Sequence, residues 1–292
     1  MTIKMDRIPR PGESITGGQF STAAGGKGAN QAVAAARAGG RVTFVGRVGN
    51  DVFGEERVAG LAGDGINVDH VVRDPDSPSG VALIFVGKNG ENCIGIAAGA
   101  NEKLTSDDVL NAKREFEGAS ALIMQLETPL ETLQTAAELA AQAGARVILN
   151  PAPARELPDV LLKYVSILTP NETEAELLTG IKVDSASEAQ EAAGNLIARG
   201  VETVIITLGA RGAFIANAAG SQLVSGFKAE AVDTTAAGDT FNGALAVALA
   251  EGQALEQAVR FANAAAAISV TRAGAQPSAP RREEIESFLA KQ

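Results

Sequence analysis

The sequence predicts an α/β protein, a doubly wound and mainly parallel sheet with helices on both faces, joined to a small β-rich lid. Three observations carry that prediction. From about residue 100 onward, short apolar runs alternate with amphipathic stretches, and uninterrupted apolar runs are what strands buried on both faces of a parallel sheet require. The first hundred residues break this rhythm with paired strands joined by Gly and Asn turns. The composition has 4% aromatic residues and no Trp, which suits close helix-on-sheet packing better than a sandwich rich in large side chains.

Near the amino terminus, "ESITGGQFSTAAGG" (13–26) and "GVALIFVGKNGENCIGIAAGAN" (80–101) read as strand pairs, with "KNGEN" (88–92) as a hairpin turn. Between them lie a helix in "GANQAVAAARAG" (28–39), then "RVTFVGRVG" and "DVFGEERVAGLAG". Further on, "ALIMQLE" (121–127), "ARVILN" (145–150), "VSILTPN" (165–171) and "TVIITLG" (203–209) read as buried strands. "SDDVLNAKREF", "PLETLQTAAELAAQAG" and "SEAQEAAGNLIARG" are the intervening helices. Ser187 with Gln190 has the spacing of a capping box, and Gly200 follows a terminal Arg. The expected organisation is one domain over 1–292, with a core of about 26–76 and 99–292. A discontinuous lid is expected over about 1–25 and 77–98.

Composition limits the partners. The 292 residues are 46% hydrophobic and 21% charged, enough apolar material for a large core and too much for disorder. A formal net charge of −10 argues against nucleic acid and anionic membrane surfaces. An anionic substrate must therefore be met by backbone donors or a metal ion. The single cysteine, Cys93, excludes an internal disulfide and fits a reducing, cytoplasmic setting. No signal-peptide pattern, apolar run of transmembrane length or repeat is evident.

The stretch "VDTTAAGDTFNGALAVALAEG" (232–252) places Asp239 before a helix whose expected apolar face is Phe241, Ala244, Leu245, Ala248 and Leu249. A helix N-terminus is an anion site, and the small residues Ala236, Ala237 and Gly238 admit a close ligand. Gly238 is free to take a positive φ. A carboxylate beside a bound phosphate is unfavourable unless it takes a proton from an attacking hydroxyl; the competing reading is a plain helix cap. In "NETE", Asn171 and Glu174 fit either a magnesium-organising pair or a capping arrangement. "GGKGANQ" (25–31) is neither a Walker loop nor a dinucleotide fingerprint. Its glycines permit close approach, and Lys27 and Asn30 offer donors to hydroxyls; a tight turn is the alternative. "ITLGARGAF" (206–214) is a possible nucleotide edge, and Glu127 sits at a strand end. His70 and Cys93 form no metal-ligand cluster.

Taken together, "GGKGANQAVAAARAG", "NPAPARELP", "TPNETEAELLTG", "ITLGARGAF" and "VDTTAAGDTFNGALAVAL" resemble the ribokinase-like (PfkB) family of carbohydrate kinases. "GENCIGIAAGAN", "MQLETPLET" and "RAGAQPSAP" narrow the resemblance to its ribose-phosphorylating members. The likeness runs from about Ile8 to the C-terminus. It implies ATP-dependent phosphorylation of the D-ribose 5-hydroxyl, with Asp239 as general base and Ala236, Ala237 and Gly238 as the anion hole. It further implies sugar contacts from Gly26, Lys27, Gly28, Asn30, Ala82, Glu127 and Asp239. Nucleotide contacts would come from Asn171, Thr207, Leu208, Gly209, Ala210, Arg211, Gly212, Gly238 and Asn263. Glu174 would organise magnesium through water. Asp233, Thr235, Ser269, Arg272, Gly274 and Ser278 would form an activating potassium site, largely through backbone oxygens. A homodimer through the lid is implied as well.

The same resemblance sets an expectation of weakness. Members of the family open with a strand that carries an Asn-x-Asp pair to the sugar, whereas "MTIKMDRIPRPGE" matches the stretch after it. Unpaired backbone inside the sheet and weak sugar turnover are therefore expected. The alternatives are a related sugar or nucleoside kinase, or a catalytically weakened sugar- or nucleotide-binding protein. A Rossmann oxidoreductase is disfavoured because no fingerprint follows a first strand.

Overall fold

The computed structural model describes residues 1–292. Strands β1 (Thr2–Met5) and β2 (Gln19–Ser21) precede helix α1 (Lys27–Arg37), β3 (Thr43–Gly49), α2 (Val52–Gly63) and β4 (Asn67–Asp74). A hairpin, β5 (Val81–Gly87) and β6 (Asn92–Ala97), leads to α3 (Ser106–Asn111) and α4 (Lys113–Phe116). Next come β7 (Ala121–Met124), α5 (Leu130–Gln142), β8 (Arg146–Leu149), α6 (Asp159–Leu162) and β9 (Ile167–Leu168). Helices α7 (Glu172–Thr179) and α8 (Ala186–Ala198) precede β10 (Thr203–Thr207), β11 (Gly212–Asn217) and β12 (Gly220–Ser225). The chain ends with α9 (Ala237–Ala250), α10 (Leu255–Ser269) and α11 (Arg282–Leu289).

The central sheet has the order β12-β11-β10-β9-β8-β7. Strands β7 to β10 run parallel, while β11 and β12 form an antiparallel edge hairpin. The period of two along the strands divides the interior into two layers. Val147, Leu149, Val204 and Ile206 pack with Leu133, Ala137, Ala192 and Leu196 of α5 and α8. The alternate residues Ile148 and Ile205 pack with Phe241, Leu245, Ala262 and Ala265 of α9 and α10. Helices therefore cover both faces, as the apolar runs predict.

Several local expectations are corrected. The expected single helix over 106–116 divides at Ala112, which is the C-cap of α3 and the N-cap of α4. The capping box of α8 is Ser185 with Glu188, not Ser187 with Gln190; two serines two residues apart offer the same local pattern, and tertiary packing selects the register. Helix α9 is buried from Asp239 to Leu249, on every side rather than on one face. Strand β12 has no counterpart in the sequence reading, and β1 lies in "MTIKMDR", where no strand was expected.

The lid is a four-stranded sheet of order β2-β1-β5-β6. It is tethered to the core at residues 78–80 and 98–100. Asp51, the N-cap of α2, accepts hydrogen bonds from the Ser79 amide (2.8 Å) and hydroxyl (2.7 Å). Ala100 donates its amide to Pro78 O at 2.8 Å. Gly99 takes φ 54°, and a Cβ there would lie 2.3 Å from Pro78 O, so only glycine lets the two tethers pass.

Strands β3 and β4 form a separate parallel pair. They are held to the core partly by Arg47, which bridges Asp74 and Asp108 at 3.0 Å each. One edge of β3 and one edge of β7 carry no ladder, and both strands line a cavity of about 2000 Å³. The Ala121, Leu122 and Ile123 side chains of β7 are only half-buried, whereas Val147, Ile148 and Leu149 of neighbouring β8 are fully buried. No ladder joins β3 to β7 across this cleft.

Candidate active site

The sequence that forms α9 is almost wholly small and apolar, so the helix can only be stable when packed on all sides. Besides α10, it packs against α1. A Cβ on Gly243 would lie 2.6 Å from Gln31 O and 2.7 Å from Ala34 Cβ, so the glycine sets the separation of the two helices. That approach brings the Asn30 and Gln31 side chains onto Asp239, which lies about 210 residues later in the chain. Asn30 Nδ2 donates to Asp239 Oδ2 at 2.9 Å, and Gln31 Nε2 donates to Oδ1 at 3.0 Å.

Asp239 is 5% exposed. Burial pushes its carboxyl above the ordinary range, opposed by the Asn30 hydrogen bond, the Lys27 charge and the Gln31 hydrogen bond. Glu127, whose Oε2 accepts the Lys27 amide at 2.9 Å, is likewise raised by burial. A buried acid with a raised pKa, held by donors in a cleft, has the properties of a general base.

The turn before α9 differs from expectation in one respect. Ala236, not Gly238, adopts the left-handed conformation, at φ 60° and ψ 16°, and it is the sole non-glycine residue with positive φ. A residue with a Cβ in this region is strained by about 1–2 kcal/mol. This conformation turns the chain into α9, and the Ala237 amide closes the turn on Thr234 O at 3.2 Å. Gly238 lies within the first turn of α9, and a Cβ on it would meet nothing within 4 Å, leaving open space above its backbone. Asn242 Nδ2 donates to Gly238 O at 2.8 Å, and its Oδ1 accepts the Thr169 hydroxyl at 2.7 Å, fixing the turn to the end of β9.

Gly26, Lys27, Gly28, Asn30, Ala82, Glu127, Ala236 and Asp239 line the large cavity together. The Asn30 Oδ1 atom is buried there without a partner, an acceptor aimed at whatever enters. Of the residues expected to contact nucleotide, Asn171 and 207–212 gather at the carboxyl end of β10. Asn171 bridges to Thr207, and Arg211 Nη2 reaches Glu172 at 2.5 Å. Leu208 is buried, Gly209 and Ala210 are exposed, and Gly212 begins the edge hairpin. Asn263 is buried on α10, its Nδ2 directed to Val224 O (3.2 Å) and Ser225 O (3.3 Å).

Asn171 and Glu174 form a true capping box on α7, each side chain accepting the other's amide at 2.8 Å. The capping account therefore holds here alongside any ligand role. Burial raises the Glu174 carboxyl, and Asp239 is among the charges it feels.

Asp233 ties two loops together, accepting from the Thr235 amide (2.9 Å) and the Gly274 amide (2.8 Å). Burial opposes ionisation of this acid, but those hydrogen bonds hold its carboxyl below the usual range. The Ser269 and Ser278 hydroxyls donate to carbonyls in their own turns, and Arg272 pairs with Glu284. No group of three or more His, Cys, Asp or Glu residues is arranged to hold a metal. Gln31 and Gln125, which also line the cavity, were not singled out from sequence. The one available signal for Gln31 was a second polar residue in an otherwise apolar helical run.

A buried carboxylate at a helix N-terminus, open space above the Gly238 backbone and polar side chains gathered in one large cavity fit a phosphotransferase acting on a small hydroxylated substrate. The profile of the pfkB family carbohydrate kinases matches residues 2–282. The chain belongs to that family. It is 46% identical over 287 residues to a ribokinase of Haemophilus influenzae, covering 98% of this chain and 94% of that protein. It is 38% identical to a deoxyribokinase of Salmonella typhi, at 98% and 94% coverage. Among solved structures, a Thermotoga maritima ribokinase superposes at TM-score 0.90 with 40% identity, covering 99% and 95% of the two chains. An Arabidopsis thaliana ribokinase complexed with ribose and ATP superposes at 0.91 with 34% identity, covering 99% and 94%.

Proposed function

We propose that this protein is an ATP-dependent ribose kinase, transferring the γ-phosphoryl group to the 5-hydroxyl. The observation that carries the reading is the buried Asp239 carboxylate, held by two amides directly behind a strained, ligand-accessible helix N-terminus. In this reading Asn30, Lys27 and Glu127 hold the sugar hydroxyls, with the orphaned Asn30 Oδ1 accepting one of them. Asp239 takes the proton of the hydroxyl as its oxygen forms a bond to phosphorus. The bond to the leaving ADP oxygen breaks in line. The amides of residues 236–238 face the charge that builds on the transferring group, where donors already in place stabilise the transition state most. The deoxyribokinase relative favours one second reading, a sugar lacking a hydroxyl, because the same scaffold accepts it at 38% identity.

Glu174 provides a carboxylate oxygen for a hydrated magnesium ion, which would neutralise phosphate charge. The Asp233 carboxylate and the loop oxygens around Thr235 and Gly274 are hard donors suited to potassium, which would add positive potential beside the anion hole. The lid is read as the cover of the sugar crevice and as a dimer surface, and the single cysteine fits a cytoplasmic setting.

The decisive experiment measures ADP release with ATP alone, with ribose and with deoxyribose. Release that depends on ribose is expected. Asp239→Asn should keep nucleotide affinity while turnover falls about 10²–10⁴-fold; full turnover in that variant defeats the assignment of the base. Replacing potassium by sodium at matched ionic strength is expected to lower turnover. Equal rates in the two salts would remove the potassium site.

A further inference from the structure

We propose that Gln31 is a positioning residue for the Asp239 carboxylate, holding Oδ1 so that the acid keeps one orientation and stays ionised beneath the sugar site. This rests on the reading of Asp239 as the base. The two consecutive amides of α1 have different surroundings. Asn30 donates to Oδ2 and still has an unpartnered buried oxygen, so it faces the ligand as well as the acid. Gln31 is 2% exposed, and its one side-chain hydrogen bond is the 3.0 Å contact with Asp239 Oδ1. It sits between α1 and α9 where Gly243 allows the backbones to approach most closely.

A carboxylate at this depth needs such a partner. The charged groups facing Asp239 are Lys27 on α1, Glu127 beyond β7 and Glu174 on α7. Two of the three are acids, and each is raised by burial and by the Asp239 charge. From the other side, α10 packs on α9 with Phe261, Ala262, Ala265 and Ile268, none of which can donate. An N–H aimed at Oδ1 interacts more strongly with the charged acid than with the neutral one, because a charged acceptor strengthens the bond. It also removes the freedom of the carboxylate to rotate away from the attacking hydroxyl, and misorientation of a reacting group lowers rate steeply.

The test is the pH dependence of ribose turnover in Gln31→Met and Gln31→Glu, measured on the full chain with ATP. Methionine keeps the length of the side chain and removes the donor. The acid limb of kcat is expected to move upward by about one pH unit, so that on that limb turnover falls about tenfold. At the alkaline plateau the loss should shrink to about threefold or less, with KM for ATP unchanged. Glutamate places a second acid against Asp239 and should move the limb further in the same direction. Should the methionine variant fail to fold, the glutamate variant reads the same limb. A limb that coincides with that of the unmodified protein, or a loss equal at every pH, overturns the proposal. Asp239→Asn separates the two readings. If it loses turnover while the Gln31 limb does not move, Gln31 alone is misassigned; if it retains turnover, the base itself is misassigned.

Discussion

Asp239 carries an unfavourable charge in the folded protein, and that has a thermodynamic consequence. Burial raises its pKa above the unfolded value, so between the two values the folded state binds more protons than the unfolded state. Stability therefore falls as pH rises through that window, and the penalty is fully present above the raised pKa. Asp239→Asn removes the ionisation and keeps the shape. The variant is expected to melt at or above the parent at pH 7–8, with the advantage vanishing near the ordinary carboxylate pKa of about 3.9. Thermal melts across pH check this, and a variant that melts lower at neutral pH and equally at low pH would contradict it. A residue that lowers stability while serving the chemistry is an expected trade at a functional site.

Among the elements, the lid shows why sheet register matters. Pairing puts Ile3 opposite both Phe20 and Phe85, and Phe85 opposite Cys93. Leu83 is two residues from Phe85 and shares its face. Ala82, Ile84 and Ile96 lie on the other face, which lines the large cavity. The outer face is thus apolar, and Phe20 is 64% exposed and Leu83 49% exposed on it. Uncovered apolar surface on a sheet this small marks an interaction site. Leu83→Asp is expected to convert a dimer into a monomer in light scattering, leaving the fold intact because the residue already contacts water. An unchanged mass, or a parent that is itself monomeric, would remove the lid as the dimer surface. Ile94 and Ile96 on the inner face are also exposed.

For the whole molecule, the interrupted sheet dominates. The free edges of β3 and β7 face one cavity, with half-buried apolar side chains on β7 and unpaired backbone on both strands. Each unsatisfied interior backbone group costs about 1–3 kcal/mol. An extended apolar strand of about five residues fused ahead of Met1 is expected to raise the melting temperature by several degrees. It should also protect the amides of β3 and β7 from hydrogen exchange. A fusion of the same composition interrupted by proline is the control, since proline cannot complete a ladder. Equal melting and equal exchange in the two fusions would show that the cleft does not accept a strand. A strand ending in Asn-x-Asp is expected to raise ribose turnover further if its acid reaches the cavity beside Asn30 and Asp239.

The sequence alone determined the elements whose signal is local. The apolar runs of β7, β8 and β10 need burial on both faces, "KNGEN" can only turn, and the small residues before Asp239 announce a ligand-accessible helix start. The Asn171–Glu174 capping box and the lid hairpin were equally legible, because each depends on residues within a few positions of one another. What the tertiary structure decided are relations across distance. Nothing in "NGALAV" says that Gly243 is where α1 comes closest. Nothing in "GANQ" distinguishes an asparagine facing the ligand from a glutamine serving the acid. The left-handed residue is Ala236, two positions before the more permissive Gly238, which lies inside the first turn of α9. Ser185 rather than Ser187 caps α8. Local preference ranks the candidates, and packing chooses among them, since the choice between two caps or two turn residues is worth about 1 kcal/mol while burying the correct helix face is worth several.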